Sequence, residues 1–331
     1  MTEKTDVFEP MAVPDAATAG KTTAAGASIR AGASTIAERQ NAIASIEVPL
    51  CVNDEILARP GMLLGWDSVR AARYCEAVVA EIEANAGQFD DCLVRAVRFG
   101  GGVATNAGRG IADIMAALKR SVPVADDAQV TMEASVANIS GATFPFFRRA
   151  GIHRFDFEMF SLNSANFTRL NTVDNLADYP LVCDHFLHAY GNRSLGLVLA
   201  YGYEPRARED AVIECRRSAL AVGENAAHVR LEPVRGARAC GADEAARQRC
   251  AMAEALESQG FAEYLPGRFA RPGEEDRFAM MDAAGAPRLG FGLGALTRLD
   301  GAESRTTTDF ERYVAHSGNF ALITEKARPI G

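Results

Sequence analysis

Strand-like and helix-like segments alternate from Ala44 to Val234, and this alternation restricts the fold to a few classes. The predicted strands are Ala44–Cys51, Leu93–Phe99, Ala128–Val136, Arg154–Phe160, Ser194–Tyr203 and His228–Val234. The predicted helices are Ser68–Ala86, Gly110–Ser121, Gly141–Ala150, Asp174–Tyr190 and Arg206–Val222, followed by Ala242–Ser258. Strands that alternate with helices of this length are typical of parallel strands joined by crossover helices. The sequence therefore predicts an α/β chain with six β/α units.

The chain of 331 residues divides into three parts by composition. Residues 1–43 are rich in Ala, Thr and Gly, with too little apolar surface to offset their ordering entropy, so we expect a disordered tail. Residues 44–235 hold the alternating segments, and Gly236 and Gly241 lie in a plausible linker. We expect residues 236–331 to form a small C-terminal lobe. Its part from Phe261 to Gly331 looks too small to fold alone, and we expect it to pack on the edge of the barrel.

Composition narrows the class of protein. A net charge of −8 disfavours a nucleic-acid partner, because phosphate attraction dominates that affinity. The sequence has no run of eighteen apolar residues, which argues against a membrane span. Its cysteines show no paired spacing and no secretory signal precedes them, so we expect reduced thiols in a cytoplasmic protein.

Several short motifs occur in the order known from one enzyme family. They are Glu47-Val48-Pro49-Leu50-Cys51, Phe99-Gly100-Gly101-Gly102, Val130-Thr131-Met132-Glu133, Ala150-Gly151-Ile152-His153-Arg154-Phe155, Tyr201-Gly202-Tyr203-Glu204-Pro205, Arg271-Pro272-Gly273 and Leu289 to Ala295. In order and spacing they resemble the radical S-adenosylmethionine (SAM) proteins related to oxygen-independent coproporphyrinogen III oxidase, whose relatives include haem chaperones. The resemblance covers roughly residues 45–320.

The resemblance implies a fold and a set of ligand contacts. The fold would be a partial (β/α)6 TIM-like barrel of the radical SAM type, with a small C-terminal lobe. Gly100, Gly101, Gly102 and Glu133 fall where the family contacts SAM, and Arg169 lies close to the family's arginine position, which falls at Asn171. SAM is thus an implied ligand, and haem is a second candidate because relatives handle it.

The chain departs from the family at the positions that hold the cofactors. The family binds a [4Fe-4S] cluster through C-x3-C-x2-C, but only Cys51 is present, and Glu55 and Ala58 replace the other two cysteines. Such clusters need several thiolate ligands, so we predict that Cys51 is vestigial and that no [4Fe-4S] cluster binds. Phe160 and Val198 replace a glutamine and an aspartate that would contact the ribose of SAM.

Three carboxylates are candidate catalytic residues. Glu133 could fix a ligand ammonium group or act as a base, or it could be an internal acid paired with Arg154 or another cation. Asp156 and Glu158 lie on one face of the fourth strand, because side chains alternate along a strand. If that face points into the barrel, the two acids either bind a ligand or form structural ion pairs, with Arg154 as one partner.

Two histidines and the glycine run each allow two interpretations. His185 and His188 share a helix face and could bind a metal or haem, whereas Cys183 points elsewhere. An amphipathic helix explains the two histidines as well. The backbone of Gly100 to Gly102 could approach an anionic ligand, or it could only turn sharply after a strand.

Three functions remain open from the sequence. The favoured one is a divergent coproporphyrinogen-oxidase-like protein that lacks the cluster motif and binds a small molecule or a partner protein, with a tetrapyrrole as one candidate. The first alternative is an active SAM-dependent enzyme, an oxidoreductase or transferase, that works through Glu133, Asp156 or Glu158. The second is a radical enzyme, such as a coproporphyrinogen dehydrogenase-like oxidoreductase, whose cluster is held unusually or by a partner chain.

Overall fold

A computed structural model describes residues 39–51, 63–64, 67–136, 139, 141–162, 178–191, 195–204, 210–224, 226–236, 239–325 and 328–329. All of them belong to one compact unit that spans residues 34–331. The predicted tail up to residue 38, and the positions Glu55, Ala58, Arg169 and Asn171, lie outside the described residues. In the part that is described, no helix combines the length and apolar character needed to cross a membrane.

The secondary structure follows the predicted alternation. The strands are β1 Gln40–Glu47, β2 Leu50–Cys51, β3 Leu63–Leu64, β4 Cys92–Gly100, β5 Val124–Ala134, β6 Arg154–Phe160, β7 Leu195–Tyr201, β8 His228–Pro233, β9 Ala262–Leu265, β10 Arg268–Ala270, β11 Arg288–Phe291, β12 Leu296–Leu299, β13 Ala302–Arg305 and β14 Arg328–Pro329. The helices are α1 Ser68–Ala84, α2 Gly110–Ser121, α3 Thr143–Ala150, α4 Asp178–Tyr190, α5 Ala211–Leu220, α6 Ala242–Glu257, α7 Arg277–Ala283, α8 Phe310–His316 and α9 Phe320–Ile323. Two short 3-10 helices cover Ala86–Phe89 and Ala104–Ala107.

Six strands form the predicted partial barrel. They pair in the order β1-β4-β5-β6-β7-β8, and every neighbouring pair is parallel. The barrel is not closed, because β1 and β8 do not pair with each other. Helices α1, α2, α3, α4 and α5 are the crossovers between these strands. The α/β class and the partial barrel predicted from the sequence are therefore confirmed.

The first strand differs from its predicted range. It runs from Gln40 to Glu47, so it starts inside the stretch assigned to the tail, and Ala42 and Ile43 are fully buried. It ends before Pro49, which has no backbone N–H to donate to a sheet. Leu50 and Cys51 instead pair with Leu63–Leu64 in a separate small sheet.

The two faces of the barrel sheet differ in chemistry. On the outer face, Phe155 and Phe157 of β6 pack edge-on against Phe144 of α3 within the large apolar core. The concave face carries the alternate residues, among them Asp156 and Glu158 of the same strand. This follows from the period of two along a strand. The acids on β6 therefore point into the barrel, as one of the two sequence interpretations required.

The segment after residue 235 extends both edges of the barrel sheet. Strand β10 pairs antiparallel with β8 and carries β9 beside it, whereas β11 pairs parallel with β1 and leads to β12, β13 and β14. Helix α7 contacts β1 and β4, where Phe278 packs on Ile43 and Ala96. The C-terminal segment therefore frames the open side of the concave face.

A buried carboxyl joins α1 to the C-terminal segment. The backbone N–H of Gly292 donates to Oε2 of Glu81 over 2.8 Å, and the Tyr313 hydroxyl donates to the same oxygen over 2.5 Å. Glu81 is fully buried, and burial raises its pKa to about 8, although the two hydrogen bonds act in the opposite direction. The carboxyl is therefore mainly protonated at neutral pH.

This raised pKa predicts a pH-dependent stability. The ordinary pKa is 4.5, so the stabilisation from Glu81 is fully present below that pH and is lost as pH rises through about 8. We expect Glu81→Gln, which keeps the acceptor oxygen, to remove this fall, whose slope is at most about 1.4 kcal/mol per pH unit. Urea unfolding of the wild type and the variant at several pH values measures the difference. The assignment would be contradicted if the wild type and Glu81→Gln lost stability equally as pH rises. It would also be contradicted if the exposed control Glu83→Gln removed the fall in stability.

Candidate functional site

The centre of the concave face is an ion-pair cluster around Glu133. This residue is near the end of β5, its side chain is fully buried, and its Oε1 accepts a hydrogen bond from Arg98 of β4. Arg230 of β8 donates to the same oxygen over 3.0 Å. Burial opposes the charge on Arg98, but Glu133 raises the pKa of that guanidinium above its ordinary value. The sequence left open which cation would pair with Glu133, and the structure identifies Arg98 and Arg230.

Asp156 forms a second buried pair. Its Oδ1 lies 2.5 Å from Nε2 of His228 on β8, and both side chains are buried. Burial opposes ionisation of Asp156, but His228, Arg230 and Arg154 together hold the pKa of the carboxyl below its usual range. Burial and the charge of Arg154 lower the pKa of His228. Nε2 is the ring nitrogen of His228 that faces the Asp156 carboxylate, so the hydrogen bond between the two side chains uses this atom.

Gly196 makes the Asp156–His228 pair sterically possible. It lies between the two residues in the sheet register, with Asp156 beside it on β6 and His228 beside it on β8. A Cβ atom at this position would stand 1.8 Å from Nε2 of His228. The imidazole therefore occupies the space that any side chain at residue 196 would need.

Arg154 has a different partner from the one considered in the sequence. Its Nη1 donates to the backbone carbonyl of Glu274 over 2.7 Å, and the Glu274 carboxylate lies 3.8 Å away. Because its guanidinium is hydrogen-bonded to the loop before α7, Arg154 lowers the pKa of Asp156 through its charge and not through a hydrogen bond. Glu158, farther along β6, is buried on the same concave face.

Other atoms of the protein fill the space in front of the three glycines at the end of β4. A Cβ on Gly100 would lie 2.9 Å from Oε2 of Glu133, and one on Gly101 would lie 2.5 Å from Oε2 of Glu47. A Cβ on Gly102 would lie 2.8 Å from the carbonyl oxygen of Val48. The structure therefore explains all three glycines by the close approach of two carboxylates and one backbone segment.

A cavity of about 370 Å³ lies beside this cluster. Residues from β1, β4, β11, α7 and the β9–β10 hairpin line it: Ser45, Glu47, Arg98, Gly100, Leu265, Pro266, Arg268, Phe278, Ala279, Asp282, Ala283 and Arg288. Its volume falls in the range of small-molecule sites. We call it the concave-face cavity.

Phe278 fixes two of the cavity's arginines. The guanidinium carbons of Arg98 and Arg288 lie 5.9 Å and 5.4 Å from the centre of its ring. Arg288 also donates to Asp282 and to Ser45, and its Nη2 lies 3.4 Å from the carboxylate of Glu47. The ring of Phe278, in the C-terminal segment, therefore helps to position Arg98 of β4 and Arg288 of β11.

The other ligand candidates lie away from the concave face. His185 and His188 are on α4, where His185 is half-buried and His188 is exposed. Among the residues with described positions, no group of three or more His, Cys, Asp or Glu side chains is arranged to hold a metal ion. Cys75 packs against Gly110, and burial raises the pKa of its thiol to about 12. That thiol is consequently a poor source of a thiolate ligand.

Phe160 and Val198 take the two positions where the resemblance implies polar contacts to SAM. Phe160 has a φ of 54° beside a register shift between β6 and β7, a conformation that is rare for a bulky residue. Val198 is fully buried between Glu158 and Arg230 in the sheet register. Neither side chain can donate or accept a hydrogen bond.

Comparison with solved structures identifies the architecture. The fold is similar to coproporphyrinogen III oxidase (HemN) from Escherichia coli, a radical SAM enzyme, with a TM-score of 0.75 and 15% sequence identity over 89% of this chain and 73% of that one. The chain has the HemN-like radical SAM fold. The maturase HydG of the [FeFe]-hydrogenase from Carboxydothermus hydrogenoformans has a TM-score of 0.41 at 11% identity, over 67% of this chain and 53% of that chain. Methylornithine synthase (PylB) has a TM-score of 0.41 at 8% identity, over 68% and 64%.

At the level of sequence the comparisons find nothing. No family model matches the chain, and no curated protein matches it. The similarity to HemN is therefore one of fold.

Several residues of this HemN-like barrel were not singled out from the sequence. Arg98, His228 and Arg230 alternate with buried apolar residues on β4 and β8, so the strand period could have placed them with Glu133. Arg268 and Arg288 come from the C-terminal segment, far along the chain. No local pattern in the sequence indicates that these two face the same cavity as Arg98.

The Gly196 contact gives a direct test of the Asp156–His228 pair. We expect Gly196→Ala to displace the imidazole, leave Asp156 without its hydrogen bond, and reduce the free energy of unfolding by about 3 kcal/mol. The control is Gly87→Ala, where a new Cβ would meet nothing within 4 Å. Urea unfolding measures both variants. Equal stabilities of the two variants would show that His228 does not occupy this space.

The Glu133 cluster predicts a large and specific loss of stability. Glu133→Gln leaves the buried guanidinium of Arg230 and the partly buried one of Arg98 without their shared carboxylate, so we expect the free energy of unfolding to fall by about 3–5 kcal/mol. The control Glu83→Gln removes a carboxylate from an exposed pair with Arg120, and we expect a change below about 1 kcal/mol. A Glu133→Gln variant as stable as the control would mean that the cluster does not hold the barrel together.

Proposed function

We propose that this chain is a divergent protein on a HemN-like barrel that does not cleave SAM through an iron-sulfur cluster and instead binds a small ligand on the concave face. The observation that carries the proposal is the state of Glu133. Its carboxylate is fully buried and shared by Arg98 and Arg230, at the position where the resemblance implies a contact to SAM.

The set of available thiols supports the loss of the cluster. In the sequence, Cys51 is followed by Glu55 and Ala58 at the positions of the other two family ligands. A carboxylate and a methyl group do not replace thiolates at such a cluster. Cys75, Cys183 and Cys215 are buried, and burial raises the pKa of each thiol. The donors therefore do not fit a [4Fe-4S] cluster.

The remaining polar contacts to SAM are also a poor fit. Side chains or backbone fill the space in front of Gly100, Gly101 and Gly102. Phe160 and Val198 offer no hydrogen bond where a ribose would need one. These losses fall on separate strands, so a single local rearrangement would not restore the set.

The concave-face cavity supports ligand binding as the retained role. It is bounded by fixed side chains, and its polar groups converge from three parts of the chain, as is common in small-molecule sites. The structural relative is named for coproporphyrinogen, so a tetrapyrrole is one candidate ligand. The carboxylates Asp156 and Glu158 are buried and do not line this cavity. Asp156 is already paired with His228, which disfavours a role for it in catalysis.

The test restores the missing ligands. Wild type and the double variant Glu55→Cys, Ala58→Cys are reconstituted anaerobically with iron and sulfide, then analysed for metal content and for absorbance at about 400 nm. We expect no cluster in the wild type and a gain of iron and sulfide in the variant, which carries C-x3-C-x2-C. A near-stoichiometric cluster in the wild type would overturn the proposal.

A second measurement addresses SAM itself. A ligand present at about 100 times its Kd raises the free energy of unfolding by about 2.7 kcal/mol, which a thermal-shift experiment detects readily. We expect no shift of the wild type with SAM. A shift with SAM but without iron would favour the alternative of a cluster-independent SAM enzyme, and a shift with a porphyrin would identify the ligand class.

A further inference from the structure

The concave-face cavity carries more hydrogen-bond donors than its own acceptors use. A guanidinium has five N–H donors. Within the described part of the chain, Arg98 makes one hydrogen bond, to Glu133, and Arg268 makes one, to Oδ2 of Asp276 over 3.2 Å. Both arginines line the cavity, so each presents further donors that no described residue accepts.

The acids in the cavity wall are committed to other cations. Asp282 accepts hydrogen bonds from Arg288 and from Arg298. Glu47 accepts from the Ser45 hydroxyl over 2.5 Å and pairs with Arg288. These carboxylates therefore balance Arg288 and Arg298. Arg98 and Arg268 pair with Glu133 and Asp276 and keep N–H donors that the acids of the cavity wall do not use.

Like charges are crowded at this wall. Arg268 on β10 lies directly opposite Arg230 on β8 in the sheet register, and Arg230 shares Glu133 with Arg98. Burial, followed by the charges of Arg98 and Arg230, lowers the pKa of Arg268. Asp276 and Asp156 act in the opposite direction on this pKa. An anion that accepts hydrogen bonds from Arg98 and Arg268 would reduce the repulsion between the neighbouring guanidiniums.

Part of the cavity wall is apolar. Leu265 and Pro266 in the β9–β10 hairpin, and Phe278, Ala279 and Ala283 of α7, line it. A hydrated inorganic ion would leave this surface in contact with water. A ligand with an apolar body and an anionic group would cover the apolar wall and supply acceptors to the arginines at the same time.

We propose that the concave-face cavity binds an amphipathic organic acid, with its anionic group between Arg98 and Arg268 and its apolar body against Leu265, Pro266 and Phe278. This inference rests on the proposed ligand-binding function and names the class of ligand. A carboxylate, phosphate or sulfonate fits the planar fork of a guanidinium equally well, so the shared requirement is a small anionic head.

A pair of fluorescent probes tests the charge requirement. Anilinonaphthalene sulfonate and the neutral phenylnaphthylamine share the same aromatic body and differ in the sulfonate. We expect the wild type to bind one sulfonate probe per chain at least about tenfold more tightly than the neutral probe, and added salt to reduce this preference. Equal affinities, or no binding of either probe, would overturn the inference.

Variants test the position of the anion. Arg268→Gln should remove most of the preference for the sulfonate, whereas Arg120→Gln, in an exposed pair with Glu83, should leave it unchanged. Near-ultraviolet circular dichroism checks that Arg268→Gln is folded. Ala283→Glu and Ala283→Gln form a second pair at an exposed cavity residue, and only the acid should weaken binding of the sulfonate, by several-fold. An unchanged preference in Arg268→Gln, or equal binding by the two Ala283 variants, would refute the site.

The outcome separates this inference from the proposed function. Iron and sulfide in the wild type together with an Arg268-dependent preference would overturn the proposed loss of the cluster and keep the anion site. Absence of iron and sulfide without any such preference would reject the anion site and leave the loss of the cluster standing.

Discussion

The buried carboxylate of Glu133, shared by Arg98 and Arg230, is the interaction on which the concave face depends. It joins the neighbouring strands β4 and β5 to β8, the last of the six barrel strands. A buried charge is tolerated only when it is paired and hydrogen-bonded, so this one acid fixes the position of two cations. Those cations in turn place positive charge beside the concave-face cavity.

The barrel separates its apolar and ionic contacts by strand parity. Phe155 and Phe157 enter a core of aromatic rings under α3 and α4, whereas Asp156 between them meets His228 across Gly196. The outer face can therefore supply most of the hydrophobic stabilisation while the concave face remains polar. The two faces of the barrel sheet therefore carry different chemistry within one fold.

The C-terminal segment turns an open sheet into a bounded site. It adds β10 beside β8 and β11 beside β1, and it lays α7 across β1 and β4. Phe278, Arg268 and Arg288 reach the concave-face cavity only because both edges of the sheet are extended by this one segment. The buried hydrogen bonds of Glu81 with Tyr313 and Gly292 attach the same segment to α1.

Patterns in the sequence predict the alternation of strands and helices, and the strand period places Asp156 and Glu158 on one face with Arg154. These are local properties of the backbone, set by side-chain spacing within a few residues. The partners of those acids were decided by tertiary structure: His228 rather than Arg154 for Asp156, and Arg98 with Arg230 for Glu133. Each contact joins residues at least 35 positions apart along the chain, so register between strands, which no local pattern encodes, had to bring them together.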